Sequence, residues 1–156
     1  MNNKFPFYFQ HDANDCGPTC LRMIAAYYGK KYSLESINEI SSFARTGISM
    51  LGISETAEKL GFRTSGARIK FIKLVKSPLP CIVHWNQNHF VVVFKIKSTK
   101  NDVLVYVANP AIGIVKFTKS EFCNCWMGNM KNEEKDGLVL FLEPTPYFYS
   151  KEGSVN

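Results

Sequence analysis

The stretch PCIVHWNQNHFVVVFKIKSTKNDVLVYVAN, residues 80–109, decides the architecture. It holds three runs, PCIVHW (80–85), HFVVVFKIK (89–97) and VLVYVAN (103–109), each rich in valine, isoleucine and aromatic residues. Such runs fit a pleated, buried surface better than a helix. The polar connectors NQN and STKND between them are short enough to be tight turns. The reading is therefore a set of antiparallel strands joined by hairpins. If the second and third runs pair through 98–102, His89 opens one strand and Asn109 closes the next, so both lie near the same sheet edge.

Downstream, GIVKFT (113–118) and GLVLFLE (137–143) extend the strand pattern, while Thr118 and Glu121 have the spacing of a capping box for a short helix through Trp126. Upstream the period changes. KFPFYFQ (4–10) is aromatic and reads as an extended strand ending at Gln10. From Cys16 to Tyr28, Leu21, Ile24, Ala25 and Tyr28 recur at helical spacing, and Gly29 supplies a stop. Ser33 caps a second helix striped by Leu34, Ile37 and Ile40. A loop over Gly47–Gly52 precedes a third, striped by Ile53, Ala57 and Leu60 and ended by Gly61. Helices first and an antiparallel sheet after define an α+β domain. Its expected extent is 1–143, with residues 144–156 a proline-containing, polar linker.

A chain of 156 residues, 46% hydrophobic and 21% charged, is one domain of ordinary soluble composition. No apolar run approaches the ~18–20 residues that a membrane span needs. MNNKFPFYFQH lacks a signal-peptide core, and the expectation is a cytoplasmic, monomeric domain. Five cysteines at irregular spacing read as free thiols. The net charge of +6 is spread thinly, and its densest cluster, Arg68, Lys70, Lys73 and Lys76, accompanies no nucleic-acid motif. The chain is thus not expected to bind nucleic acid. A solvated face is the simpler reading of that cluster, with an anionic membrane surface as the other. Cys16, Cys20, Cys123, Cys125 and His84 fit structural zinc spacing poorly, so no metal or cofactor is expected.

The chemistry gathers around Cys16. It begins a helix, before Gly17 and Pro18, where unpaired N–H groups and partial positive charge stabilise a thiolate. Asn109 can orient the His89 imidazole by accepting from one nitrogen, leaving the other for the thiol. Gln10 can offer its amide to an oxyanion, with the Cys16 backbone N–H as second donor. Cys20, one helical turn on, and Cys81, in a strand, read as buried packing. Asp15 reads as the cap of the first helix, although a carboxylate there raises the thiol pKa. His84 faces opposite to Trp85 by strand alternation and reads as structural. His11 is given no role.

Q-x4-D-C-G-P-T-C-L from Gln10, YYG, GISMLGISETAEKLGF, PCIVHWNQNHFVVV and ANPAIG follow one another in the order seen in a known family. Together they resemble the N-terminal peptidase domain of bacteriocin-exporting ABC transporters, which are papain-like cysteine peptidases that remove double-glycine leader peptides. The resemblance runs from Gln10 to near Glu143. It implies a papain-like fold, with Cys16 as nucleophile, His89 as base, residue 109 as orienting group and Gln10 in the oxyanion hole. It also implies cleavage after Gly-Gly or Gly-Ala in a precursor whose leader binds as an amphipathic helix. Met50, Leu51 and Trp85 are the expected substrate contacts, although Met50 and Leu51 equally suit the core. The transmembrane and ATP-binding domains of a transporter are the further partners implied, and EPTPYFYSKEG resembles the passage toward a first transmembrane segment. Both a transporter fragment and a free-standing peptidase fit. The family pattern carries Asp where this chain has Asn109, which points to reduced or pH-shifted activity. The competing readings are a leader-binding module that recruits export substrates without cutting them, and acyl transfer of transglutaminase type.

Overall fold

The computed structural model describes residues 4–41, 49–86, 88–127 and 135–150. Six strands form one antiparallel sheet: β1 (Phe62–Ile69), β2 (Cys81–Trp85), β3 (His89–Ser98), β4 (Val103–Asn109), β5 (Gly113–Thr118) and β6 (Gly137–Pro144). Their spatial order is β1-β6-β2-β3-β4-β5, so the last strand inserts beside the first. Helices α1 (Cys16–Tyr27), α2 (Leu34–Ile40) and α3 (Met50–Leu60) cover one face. On the other lie α4 (Phe71–Val75) and α5 (Lys119–Met127). A short helix, α6 (Pro146–Ser150), ends the described chain.

Burial on both faces explains why β2 and β3 read as continuous apolar runs rather than alternating ones. Ile82, Phe90, Val92 and Ala108 pack with Leu21, Ile24 and Ile53 on the α1 side. Val83, Trp85, Val91, Val93 and Val107 pack with Phe71, Phe122 and Trp126 on the α5 side. The helical half therefore does pack on the antiparallel sheet, and two short helices complete a third layer.

Several local expectations are corrected. Residues 4–10 are extended but form no strand of the sheet: Phe5 stacks on Phe94 at 4.6 Å, and the Gln10 N–H donates to the Pro110 carbonyl at 2.9 Å. The third helix begins earlier than expected, because Ser49 caps it by accepting from the Gly52 N–H at 3.0 Å. Of the expected 47–52 loop, Gly47 and Ile48 lie outside the described residues, as does Gln87 of the NQN turn. The β1 strand escapes a composition-based reading because FRTSGARI is an edge strand, with Arg63, Ser65, Gly66 and Arg68 exposed.

The linker reading also changes for residues 144–150. Pro146 opens α6, and Phe148 is fully buried, 4.7 Å from the Phe62 ring. Gly61 has φ 109°, and a Cβ there would collide with the Phe148 backbone, so the turn from α3 into β1 and the seat of α6 require glycine. Residues 151–156 of the expected tail lie outside the described residues. Phe148→Ala should lower stability by about 3–5 kcal/mol, the usual range for truncating a buried phenylalanine. Urea denaturation of the variant against the parent checks this.

Candidate active site

Three strand ends and one helix start converge at one end of the sheet. In antiparallel register Trp85 lies opposite His89, and Val92 opposite Ala108. The start of β3 and the end of β4 are therefore neighbours. His89 Nε2 lies 2.8 Å from Asn109 Oδ1. The Ala111 N–H donates to the same oxygen at 2.9 Å, which identifies that atom as the acceptor. Nε2 consequently carries the proton, and Nδ1 keeps its lone pair. Asn109 is 4% exposed, so this orienting bond is shielded from water.

Phe90, next to His89, ties the helix to this corner. It lies beyond the last β3–β4 pair, Val92↔Ala108. Its carbonyl accepts from Cys20 Sγ at 3.4 Å, while its backbone N–H lies against the Cys16 sulfur. The fourth member arrives through the backbone bond from Gln10 to Pro110, the residue after Asn109. Gln10 Oε1 is buried, and no described residue bonds to it. Backbone contacts thus set Cys16 against Phe90, and Gln10 against Pro110, the residues next to the bonded His89–Asn109 pair.

Cys16 is 1% exposed. Burial pushes its thiol pKa up, the N–H groups of Phe90 and Gly17 pull it down, and the Asp15 carboxylate adds a smaller upward push. The net direction is upward, so the thiol of the free protein holds its proton and needs a base to release it. Asp15 does not cap α1 with its side chain; its Oδ2 instead accepts from the Asp12 N–H at 3.0 Å, closing the 3-10 turn that precedes the helix. Cys20 and Cys81 are fully buried.

The expected substrate contacts divide. Met50 and Leu51 stand at the start of α3, with Met50 half-buried against the α1-side core and Leu51 65% exposed. Because α3 runs into β1 at Gly61, and Phe62 lies at the sheet end opposite Ile69, the start of α3 is at the same end as His89. Trp85, opposite His89 in the register, offers no surface to a substrate. It is 3% exposed and packs on Phe117 and Phe122 at 5.4 and 5.3 Å, because strand alternation turns it toward α5. The roles of Phe90 and Pro110 left no mark in the sequence, since both act through backbone atoms.

A thiol at a helix start, a sheet-borne imidazole and an antiparallel sheet flanked by helices define a papain-like cysteine peptidase fold. The Peptidase C39 family model matches residues 4–133, and the chain belongs to that family. It is 34% identical, over 77% of its length, to a Lactococcus lactis lactococcin-G-processing and transport ATP-binding protein. It is 30% identical, over 80% of its length, to the Escherichia coli colicin V secretion/processing ATP-binding protein. The chain spans only 17% of the length of each of these relatives. Among solved structures, a double-glycine-motif protease from an AMS/PCAT transporter, in complex with its leader peptide, superposes with a TM-score of 0.76. Identity there is 34%, over 91% of this chain and 93% of that one. The peptidase domain of Streptococcus ComA gives a TM-score of 0.71 at 28% identity, over 90% and 99%.

Removing the Asp15 charge should ease ionisation of Cys16. Asp15→Asn is therefore expected to move the pH midpoint of Cys16 alkylation by iodoacetamide to lower pH. A midpoint unchanged or moved upward would contradict that assignment of the electrostatics.

Proposed function

We propose that this chain is a thiol endopeptidase that cuts after Gly-Gly or Gly-Ala to remove the leader of a bacteriocin-like precursor, coupled to export. The observation that carries the reading is the His89–Asn109 hydrogen bond, formed at the sheet end that also receives the Cys16 sulfur. The relatives support the same reading: they join processing to transport, and a solved neighbour is bound to a leader peptide. Transmembrane and ATP-binding parts of an ABC transporter are then its partners, at the cytoplasmic face of the membrane. Among the described residues no helix is long and apolar enough to cross a membrane.

In this mechanism His89 Nδ1 takes the Cys16 proton as Sγ attacks the glycyl carbonyl carbon. The carbonyl oxygen becomes an oxyanion held by the Gln10 amide and the Cys16 backbone N–H. Collapse of that intermediate breaks the C–N bond, and His89 gives its proton to the leaving amine. Water, deprotonated by His89, then hydrolyses the thioester and releases Cys16 as the thiol. Asn109 holds the ring without adding charge. The 1% exposure of Cys16 gives a reason for glycine preference. A sulfur so enclosed is reached most readily by backbone that carries no Cβ.

Mass spectrometry of a double-glycine precursor incubated with this chain tests the proposal. Cleavage is expected after the second glycine, lost in Cys16→Ala and reduced about 10²–10³-fold in turnover by Gln10→Ala. Leader binding without cleavage by the parent chain would instead establish a recruitment module. For Asn109→Asp, a carboxylate would stabilise the imidazolium, so the acid limb of the pH–rate profile, where His89 becomes the neutral base, is expected to move to higher pH. An unchanged profile would show that charge at residue 109 is irrelevant.

A further inference from the structure

His84 is a titratable side chain in this neighbourhood that the scheme above does not use. It lies directly opposite Phe90 in the β2–β3 register, so the two share a sheet face, and their rings are 5.2 Å apart. That is the α1 face, since Phe90 belongs to the cluster containing Cys16 and Leu21. On this face α1 covers β3, while α3 covers β1 and β6. The strand β2 lies between them, and the helix that packs on it, α5, does so from the other side. His84 therefore forms the floor between the start of α1, with Cys16, and the start of α3, with Met50 and Leu51.

Two features separate His84 from a packing histidine. It is half-buried, so among the described residues part of its ring is left uncovered. Its ring also makes no hydrogen bond or ion pair with any described residue, its contact being the Phe90 ring. A half-buried imidazole whose nitrogens bond to no described residue can offer a hydrogen bond beside the nucleophile. A substrate with glycines before the scissile bond offers no side chains there, so its selection has to use backbone groups and close fit. Backbone carbonyls are acceptors, and a neutral imidazole supplies one N–H donor.

We infer that His84 is a substrate-contacting residue, donating a hydrogen bond to a backbone carbonyl of the leader just upstream of the scissile bond. This rests on the peptidase reading above. Phe90 holds the ring in position, and the walls carrying Cys16 and Met50 limit what can lie over it. His84 takes no part in proton transfer to or from Cys16, which belongs to His89.

The experiment compares His84→Phe and His84→Gln with the parent chain, using a synthetic precursor peptide with a Gly-Gly leader. Phenylalanine keeps a flat ring against Phe90 without a donor, and glutamine restores a donor. Loss of one hydrogen bond predicts about a tenfold rise in KM for His84→Phe, with kcat within about twofold. Affinity for the uncleaved peptide, measured in a Cys16→Ala background, should fall by the same factor, and His84→Gln should recover most of it. Thermal melting of each variant shows that the fold is retained. Unchanged KM and affinity in His84→Phe, with the parent chain cleaving normally, would overturn the assignment and leave the peptidase reading intact. A loss confined to kcat would also overturn it. Failure of the parent chain to cleave any such precursor would overturn both.

Discussion

The pairing of β3 with β4 contains one irregularity on which the site depends. In its outer half Lys95 lies opposite Tyr106 and Ile96 opposite Val105, whereas near the site Val93 lies opposite Val107 and Val92 opposite Ala108. Phe94 is the extra residue. Without it, continuing the outer register would set Asn109 opposite Val92, on the sheet face away from His89. A shift of one residue moves every side chain beyond it to the other face. The bulge therefore lets Asn109 and His89 share a face and meet at 2.8 Å. Bulges re-aim side chains beside functional sites in this way.

The same residue holds the N-terminal arm. Phe94 stacks on Phe5, and the arm continues to the backbone bond between Gln10 and Pro110. One bulged phenylalanine thus helps set both the orienting pair and the position of the Gln10 amide. Burial on both sheet faces makes this corner stiff. Phe90 and Val92 are locked by the α1-side cluster, while Val91 and Val93 are locked by the α5-side cluster. A register slip would expose one set and force the other into mismatched packing.

Much of the site was legible because the chemistry-bearing residues stand at element boundaries that sequence rules mark well. Cys16 precedes Gly17 and Pro18 at a helix start, and His89 follows the polar NQN turn. Asn109 ends an apolar run before Pro110. Other parts were not legible for equally physical reasons. The edge strand β1 has too little apolar surface to announce itself, and α6 is a single turn whose Phe148 is defined only by the pocket it fills. Trp85 looked like a contact residue because it adjoins the turn before His89, yet the Phe117 and Phe122 rings bury it and leave no surface for a substrate. His84, one residue earlier, lies on the other face beside Phe90.

By itself the sequence determined the α+β order, the hairpins, the helix that Cys16 begins, and membership in a peptidase family through motifs that are local in the chain. These follow from periodicity, turn chemistry and capping, which act over a few residues. Only the tertiary structure decided the insertion of β6 beside β1, the bulge at Phe94, the burial of the Cys16 sulfur and the placement of His84 against Phe90. Each of those depends on which surfaces meet across long separations, and local patterns do not encode such contacts one residue at a time.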